Sequence, residues 1–254
     1  MEFPKTLIKR NGYIERIKPF MRKNIAKVLT GQRRVGKSFL LYQLMDQLLV
    51  EEPDANIIYI NFEDFAFSHI QTAEDMHAYI MSKFRKEKYN YIFVDEIQEI
   101  VNFERVIRSL LLNENNDIYI TGSNAKMLSG ELATYLSGRY IEFSVYSLSY
   151  LEFLAFHKLE NNNESLYLYS RYGGLPYLIN LPLKDETVNE YLKSVYSTIV
   201  FRDVVSRYNL RNSSFLEKLV QFLSENIGNL FSAKNISDYL KSQHSTISVN
   251  QIQN

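Results

Sequence analysis

Apolar residues along the chain fall into two textures that meet near Tyr146. Before it, short uninterrupted apolar runs alternate with stretches in which apolar residues recur at helical spacing. Residues 25–30 (IAKVLT), 56–62 (NIIYINF), 91–96 (YIFVDE) and 117–121 (DIYIT) read as strands, the last three buried on both faces. Between them come Leu41, Leu44, Met45, Leu48 and Leu49 at helical spacing, then helical patterns over 72–86 and 103–112. A helix over 125–136 leads into residues 139–145 (RYIEFSV), the expected last strand. Strands alternating with helices predict parallel βαβ units and an α/β fold.

After Tyr146 the pattern becomes helical, over 148–156, 165–172, 177–181 and 186–205, which predicts a helical lid. The polar run 160–164 marks a loop and Gly173-Gly174-Leu175-Pro176 a breaker. From Ser213 the expectation is a helix through Asn226, a turn at Gly228, a helix from the N-cap Ser232 to about Lys241, and another opened by Ser245. That order begins a winged-helix module. No residues for two wing strands precede the final Asn254, so the module is expected to be incomplete, as in a truncated product. The expected domains are a core over 1–146, a lid over 147–208 and an incomplete winged helix over 209–254.

The junction of the first strand and first long helix carries the clearest chemistry. Gly31-Gln32-Arg33-Arg34-Val35-Gly36-Lys37-Ser38, followed by Phe39, fits the phosphate-binding pattern G-x-x-x-x-G-K-[ST]. On a strand-to-helix turn, backbone N–H groups not used by the helix converge on a phosphate, helped by the helix dipole. Lys37 can then reach the β- and γ-phosphates and Ser38 can bind magnesium. Four apolar residues followed by Asp95-Glu96 lie 57 residues after Ser38 with one strand between, which suits a second half of the same site. Asp95 is read as a magnesium ligand acting through water, and Glu96 as the group that orients and polarises an attacking water. At the end of the next strand, Ser123 and Asn124 are candidates to contact the γ-phosphate or that water, or to cap a helix. Asn61, at the matching end of the second strand, could hold Glu96 in an inactive rotamer.

Composition narrows the picture. At 46% apolar and 23% charged residues, the chain reads as an ordinary globular protein. It has no apolar run near the ~20 residues that span a membrane and no signal-like N-terminus, so a cytoplasmic location without membrane association is expected. With no cysteine and four scattered histidines, magnesium is the only metal expected. Net charge is zero, yet residues 1–37 hold eleven Lys or Arg against Glu2 and Glu15. That excess is either an electrostatic footprint for nucleic acid or, the favoured reading, a solvated face plus groups serving phosphates.

The order of P-loop, hydrophobic-Asp-Glu, Thr121-Gly122-Ser123-Asn124, Ser137-Gly138-Arg139, Gly173-Gly174-Leu175-Pro176 and winged helix resembles prokaryotic AAA-superfamily ATPases of the archaeal-ATPase-like clade. The forms Arg33-Arg34-Val35-Gly36-Lys37-Ser38 and Val94-Asp95-Glu96-Ile97-Gln98 are particularly similar. The resemblance implies a parallel sheet of order 5-1-4-3-2, a helical lid, and binding and hydrolysis of ATP to ADP. Many members carry a further C-terminal domain of nuclease-like appearance, which is not expected here. The resemblance also implies that Arg139 is an arginine finger offered to a neighbour's γ-phosphate in a homo-oligomer, against the alternative of a surface arginine paired to a carboxylate. It further implies that Pro176 packs near the nucleotide, against the alternative of a helix-opening proline.

The leading reading is a magnesium-dependent ATPase that drives or switches a conformational change on a nucleic acid or protein partner. A slowly hydrolysing nucleotide switch, with the winged helix used for protein contacts, is the alternative. A small-molecule kinase would need neither Glu96 nor a sensor strand, and no Asn-Lys-x-Asp motif for guanine occurs.

Overall fold

The computed structural model describes Pro4, residues 7–122, Leu136, residues 138–199 and residues 213–242. Its centre is a five-stranded, wholly parallel sheet: β1 (Ala26–Thr30), β2 (Asn56–Asn61), β3 (Asn90–Asp95), β4 (Asn116–Gly122) and β5 (Tyr140–Ser144). The spatial order is β2-β3-β4-β1-β5, the expected 5-1-4-3-2 arrangement read from the other edge. The three middle strands are buried along their whole length, as expected for β3 and β4, whereas β2, expected to be buried on both faces, lies at the sheet edge and alternates buried with half-buried positions.

Alternation along each strand divides the core in two. Val28, Ile92, Val94, Ile118 and Ile120 face a layer formed with α3 (Ala73–Ser82) and α4 (Phe103–Leu110). Leu29, Tyr91, Phe93, Tyr119 and Phe143 face α1 (Asn11–Ile17) and α2 (Lys37–Glu51). Phe93 and Tyr119 stack there with ring centroids 4.4 Å apart. Thr72 and Asp75 form a capping box that starts α3, which ends at Ser82, four residues short of the helix predicted over 72–86. Its last turn closes through Lys83 and Phe84, whose N–H groups donate to Ile80 and Met81.

Polar groups at the strand starts set the register. Asn56, Asn90 and Asn116 stand opposite one another. The Asn56 amide donates to the Asn90 side chain at 2.7 Å, and the Asn116 amide to the Leu110 carbonyl at 2.8 Å. Lys27 and Asp117 form a fully buried ion pair at the same end of the sheet. Asp117 also accepts from the Arg22 backbone and the Tyr119 hydroxyl, so its charge is met on every side.

After β5 come α5 (Tyr150–His157), α6 (Asn163–Tyr172) and a 3-10 turn at Pro176–Asn180. The chain divides into two compact units, Met1–Leu183 and Lys184–Asn254, so residues 147–183 of the expected lid pack with the sheet. The second unit contains α7 (Asp185–Thr198), α8 (Ser213–Glu225) and α9 (Ala233–Ser242). Phe222, Ile236 and Leu240 form a small core between α8 and α9, and Ser232 caps α9 by accepting from the Asn235 N–H. The expected helix opened by Ser245 lies outside the described residues.

Arg10 ties the first unit together. It is 3% exposed. Its guanidinium donates to the carbonyls of Val35 and Tyr146, each at 3.1 Å, and pairs with Glu152 on α5 at 2.7 Å. Burial pushes the Glu152 carboxyl up, but hydrogen bonds from Arg10 and Ser149 outweigh it and hold the group below its ordinary 4.5. The carboxylate therefore contributes stability above pH 4.5 that is lost as the pH falls through its folded-state value. Glu152→Gln is expected to destabilise the protein at pH 7 by about 1–3 kcal/mol, with the difference from wild type shrinking below pH 4.5. Urea unfolding across that range measures it; a difference that grows on acidification would contradict the assignment.

Candidate active site

β1 ends at Thr30, β3 at Asp95 and β4 at Gly122, and the parallel register brings these ends to one edge of the sheet. Residues 31–36 turn from β1 into α2 at that edge. Gly31 has φ +144°, and a Cβ there would lie 2.2 Å from the Val145 carbonyl oxygen, so only glycine fits. Arg34 (φ 68°) and Gly36 (φ 92°) are left-handed, and Gly36 is the N-cap of α2. The loop thus bends tightly before a fifteen-residue helix whose first N–H groups open onto the sheet edge. Arg33 reaches sideways to Glu63 at 3.3 Å, and Phe39 is about half exposed on α2.

Lys37 is 4% exposed. Its ammonium donates to the Gly31 and Gln32 carbonyls, each at 3.1 Å, and lies 3.8 Å from Glu96 Oε1. Burial pushes its pKa down, with Glu96 and Asp95 pulling it back up. Asp95 is 1% exposed. Burial holds its carboxyl above the usual range, opposed by hydrogen bonds from the hydroxyls of Ser38 and Thr121. Ser38, Asp95, Lys37 and Glu96 therefore meet at one place, as the spacing of the two motifs predicts.

The residue that joins the two acids is Thr121. Its hydroxyl donates to Asp95 Oδ1 and accepts from the Glu96 backbone N–H at 3.0 Å. Glu96 itself is left-handed at φ 54°, which is uncommon for a residue with a side chain and opens the 3-10 turn Ile97–Glu99. Its Oε2 accepts from the Gln98 amide at 2.5 Å. Asn61 is engaged elsewhere: its Oδ1 accepts from the Glu63 backbone at 2.9 Å. Gln98 and Lys37 thus stand at the Glu96 carboxylate, while Asn61 Oδ1 is turned to the Glu63 backbone. A threonine ending the predicted strand beside Asp-Glu was the available signal for Thr121, and Gln98 closes the family-like run Val94-Asp95-Glu96-Ile97-Gln98, which by itself assigned it no role.

Pro176 opens its 3-10 turn, and its Cγ would stand 3.7 Å from a Cβ on Gly36. It therefore stands beside Gly36 of the loop and also opens a helical turn, so its position fits either expectation. Gly174 permits this approach: a Cβ on it would lie 2.2 Å from the Leu148 carbonyl oxygen. Ser123 and Asn124 lie outside the described residues. Arg139 is described and is not with the others. It is exposed and precedes β5, and its carbonyl accepts from Ala26 N–H at the start of β1. At ~3.3 Å per residue, the length of β5 puts it about 17 Å from the loop edge.

The donor set fits a magnesium nucleotide. The hydroxyl and carboxylate oxygens of Ser38 and Asp95 are hard ligands of the kind magnesium takes, and two buried carboxylates share one buried ammonium. Part of the N-terminal basic charge is taken up in pairs with carboxylates of the first unit. Arg10 pairs with Glu152, Arg22 with Glu52, Lys27 with Asp117, and Lys37 lies beside Glu96. Arg10 and Lys27 are buried, so they belong neither to a solvated face nor to a surface footprint for nucleic acid.

Comparison with known proteins places this geometry in context. Residues 23–154, just over half of the chain, match the family described as AAA domain. Residues 163–250 match a domain of unknown function, DUF8612. An uncharacterized protein of Haemophilus influenzae is 36% identical over 94% of this chain and 61% of its own length. The uncharacterized protein MJ1544 of Methanocaldococcus jannaschii is 31% identical over 89% and 52%. The chain thus spans between half and two thirds of these relatives. Among solved structures, the Aeropyrum pernix ORC1 protein in complex with DNA has a TM-score of 0.47 at 11% identity, covering 98% of this chain and 82% of that one. AMPPCP-bound DnaA from Aquifex aeolicus has a TM-score of 0.47 at 15% identity, covering 98% and 90%. No described helix is long and apolar enough to cross a membrane. With its phosphate loop, paired acids and parallel sheet inside the matched segment, the chain belongs to the AAA domain family.

Proposed function

We propose that this protein binds ATP with magnesium and hydrolyses it to ADP and phosphate, using the change to act on a nucleic acid or protein partner. The observation that carries the reading is the meeting of Lys37, Ser38, Asp95 and Glu96 at one strand edge. In this reading the N–H groups of residues 31–38 cradle the phosphates and the Lys37 ammonium leaves its loop carbonyls for the β- and γ-phosphates. Magnesium, held by Ser38 and through Asp95, would neutralise charge on the β- and γ-oxygens.

Glu96 orients a water in line with the γ-phosphorus. As the water oxygen bonds to phosphorus and the bond to the bridging oxygen breaks, the water's proton passes to the carboxylate and ADP leaves. Pro176, packed on Gly36, is the contact through which the segment after α6 senses the state of the loop. Ser123 and Asn124 are proposed to meet the γ-phosphate or the water. Arg139 lies at the far end of the sheet from its own loop, so its proposed role is a finger supplied to the site of a neighbouring copy. The expected division into core, lid and winged helix, with residues 209–254 as an incomplete partner-contacting module, is part of this proposal.

Two substitutions separate binding from chemistry. Lys37→Ala should weaken ATP binding to background, because it removes the cation that meets the phosphates. Glu96→Gln should keep nucleotide affinity within about twofold and reduce phosphate release roughly 100-fold or more. Equilibrium binding of a fluorescent ATP analogue beside a phosphate-release assay measures both, and equal loss of affinity in the two variants would make Glu96 structural.

The trans assignment has its own test. Arg139→Ala should spare ATP affinity and lower turnover, since a finger stabilises charge only in the transition state. Mixing it with Glu96→Gln protein should restore part of the activity, because a mixed interface pairs an intact Glu96 with an intact Arg139. A fully active monomer, or no rescue in demonstrated mixed oligomers, would sink the trans role.

A further inference from the structure

Gln98 stands two residues after Glu96, at the middle of the 3-10 turn Ile97–Glu99. Its amide nitrogen donates to Glu96 Oε2 at 2.5 Å. The other carboxylate oxygen, Oε1, lies 3.8 Å from the Lys37 ammonium. One oxygen is thus anchored to the turn and the other is turned toward the cation that marks the phosphate position.

The amide at position 98 comes at a cost. Its carbonyl oxygen is buried with no hydrogen-bond partner among the described residues, an unmet group that an apolar side chain of the same size would not carry. What the amide supplies in return is the donor to Glu96. The backbone at Glu96 is also held away from the common conformations, at φ 54° and ψ 49°, with its N–H fixed on Thr121. Backbone and side chain of Glu96 are therefore gripped at separate points, by Thr121 and by Gln98.

We infer that Gln98 is a positioning residue for hydrolysis: it pins Oε2 of Glu96 so that Oε1 points at the attacking water beside the terminal phosphate. It touches neither nucleotide nor water and acts through Glu96. The inference rests on the hydrolase reading above. It assigns the part expected of Asn61 to a different side chain, with the opposite sign: an aim that supports turnover in place of a restraint that suppresses it.

The test compares Gln98→Met, which keeps the size and removes the donor, with Gln98→Glu, which sets a second carboxylate against the first. Both should fold with wild-type melting behaviour or close to it. Gln98→Met should lower kcat roughly 10- to 100-fold with KM and ATP affinity unchanged, as misplacement of a reacting group does, and Gln98→Glu should fall at least as far. Placed on Glu96→Gln, the Gln98→Met change should cause no further fall in single-turnover phosphate release. A readout independent of turnover is the Gln98 side-chain amide resonance, which should move upfield in Glu96→Ala as its charged acceptor is lost.

A wild-type rate no higher than that of Lys37→Ala would overturn the hydrolase reading and this inference with it. An active wild type matched by Gln98→Met, a KM that rises in step with the loss of kcat, an equal fall on the Glu96→Gln background, or an amide resonance that does not move would overturn the inference alone.

Discussion

Two adjacent carboxylates, Asp95 and Glu96, are buried beside one buried ammonium, Lys37. Two buried carboxylates beside one buried ammonium are a poor arrangement for stability taken alone. The fold offsets it with local donors: Ser38 and Thr121 to Asp95, and the Gln98 amide to Glu96. Much of what surrounds the site follows from that imbalance. The loop that brings Lys37 into place, Thr121 near the end of β4, and the left-handed residue at 96 all hold charge at that one place.

The polar marks of strand register lie at the opposite end of the sheet. The asparagine ladder across β2, β3 and β4 and the Lys27–Asp117 pair set strand alignment at the sheet's start. Alignment there propagates along parallel strands of similar length, so the functional ends of β1, β3 and β4 arrive together. Arg10 then fastens the loop to the segment after β5 by bonding the Val35 and Tyr146 carbonyls at once. A shift of the loop that moves Val35 must therefore be felt at Glu152 on α5.

The fold was largely legible because buried parallel strands write themselves as apolar runs and the phosphate loop has a fixed pattern; strand order came from the family resemblance. The meeting of Lys37 with the Asp95-Glu96 pair was legible for the same reason. Three things were not. Arg10 and Lys27 read as surface charge, since nothing local in sequence shows that their partners, Glu152 and Asp117, are brought in from 142 and 90 residues away. Gln98 touches Glu96 because Glu96 itself is left-handed and turns the chain, a conformation that glutamate seldom announces. The extent of the first compact unit, which runs on to Leu183 past the change of texture near Tyr146, is set by tertiary packing that no local pattern records.

The central claim is that the buried acids and the P-loop lysine form one magnesium-nucleotide site. A crystal structure with a non-hydrolysable ATP analogue and magnesium tests it most directly. The account predicts the Lys37 ammonium displaced from the Gly31 and Gln32 carbonyls onto the β- and γ-phosphates, the metal between Ser38 and the Asp95 side, and Glu96 facing the terminal phosphate. Nucleotide bound away from residues 31–38, or bound there with Lys37 still on its loop carbonyls and Glu96 turned from the phosphate, would contradict it.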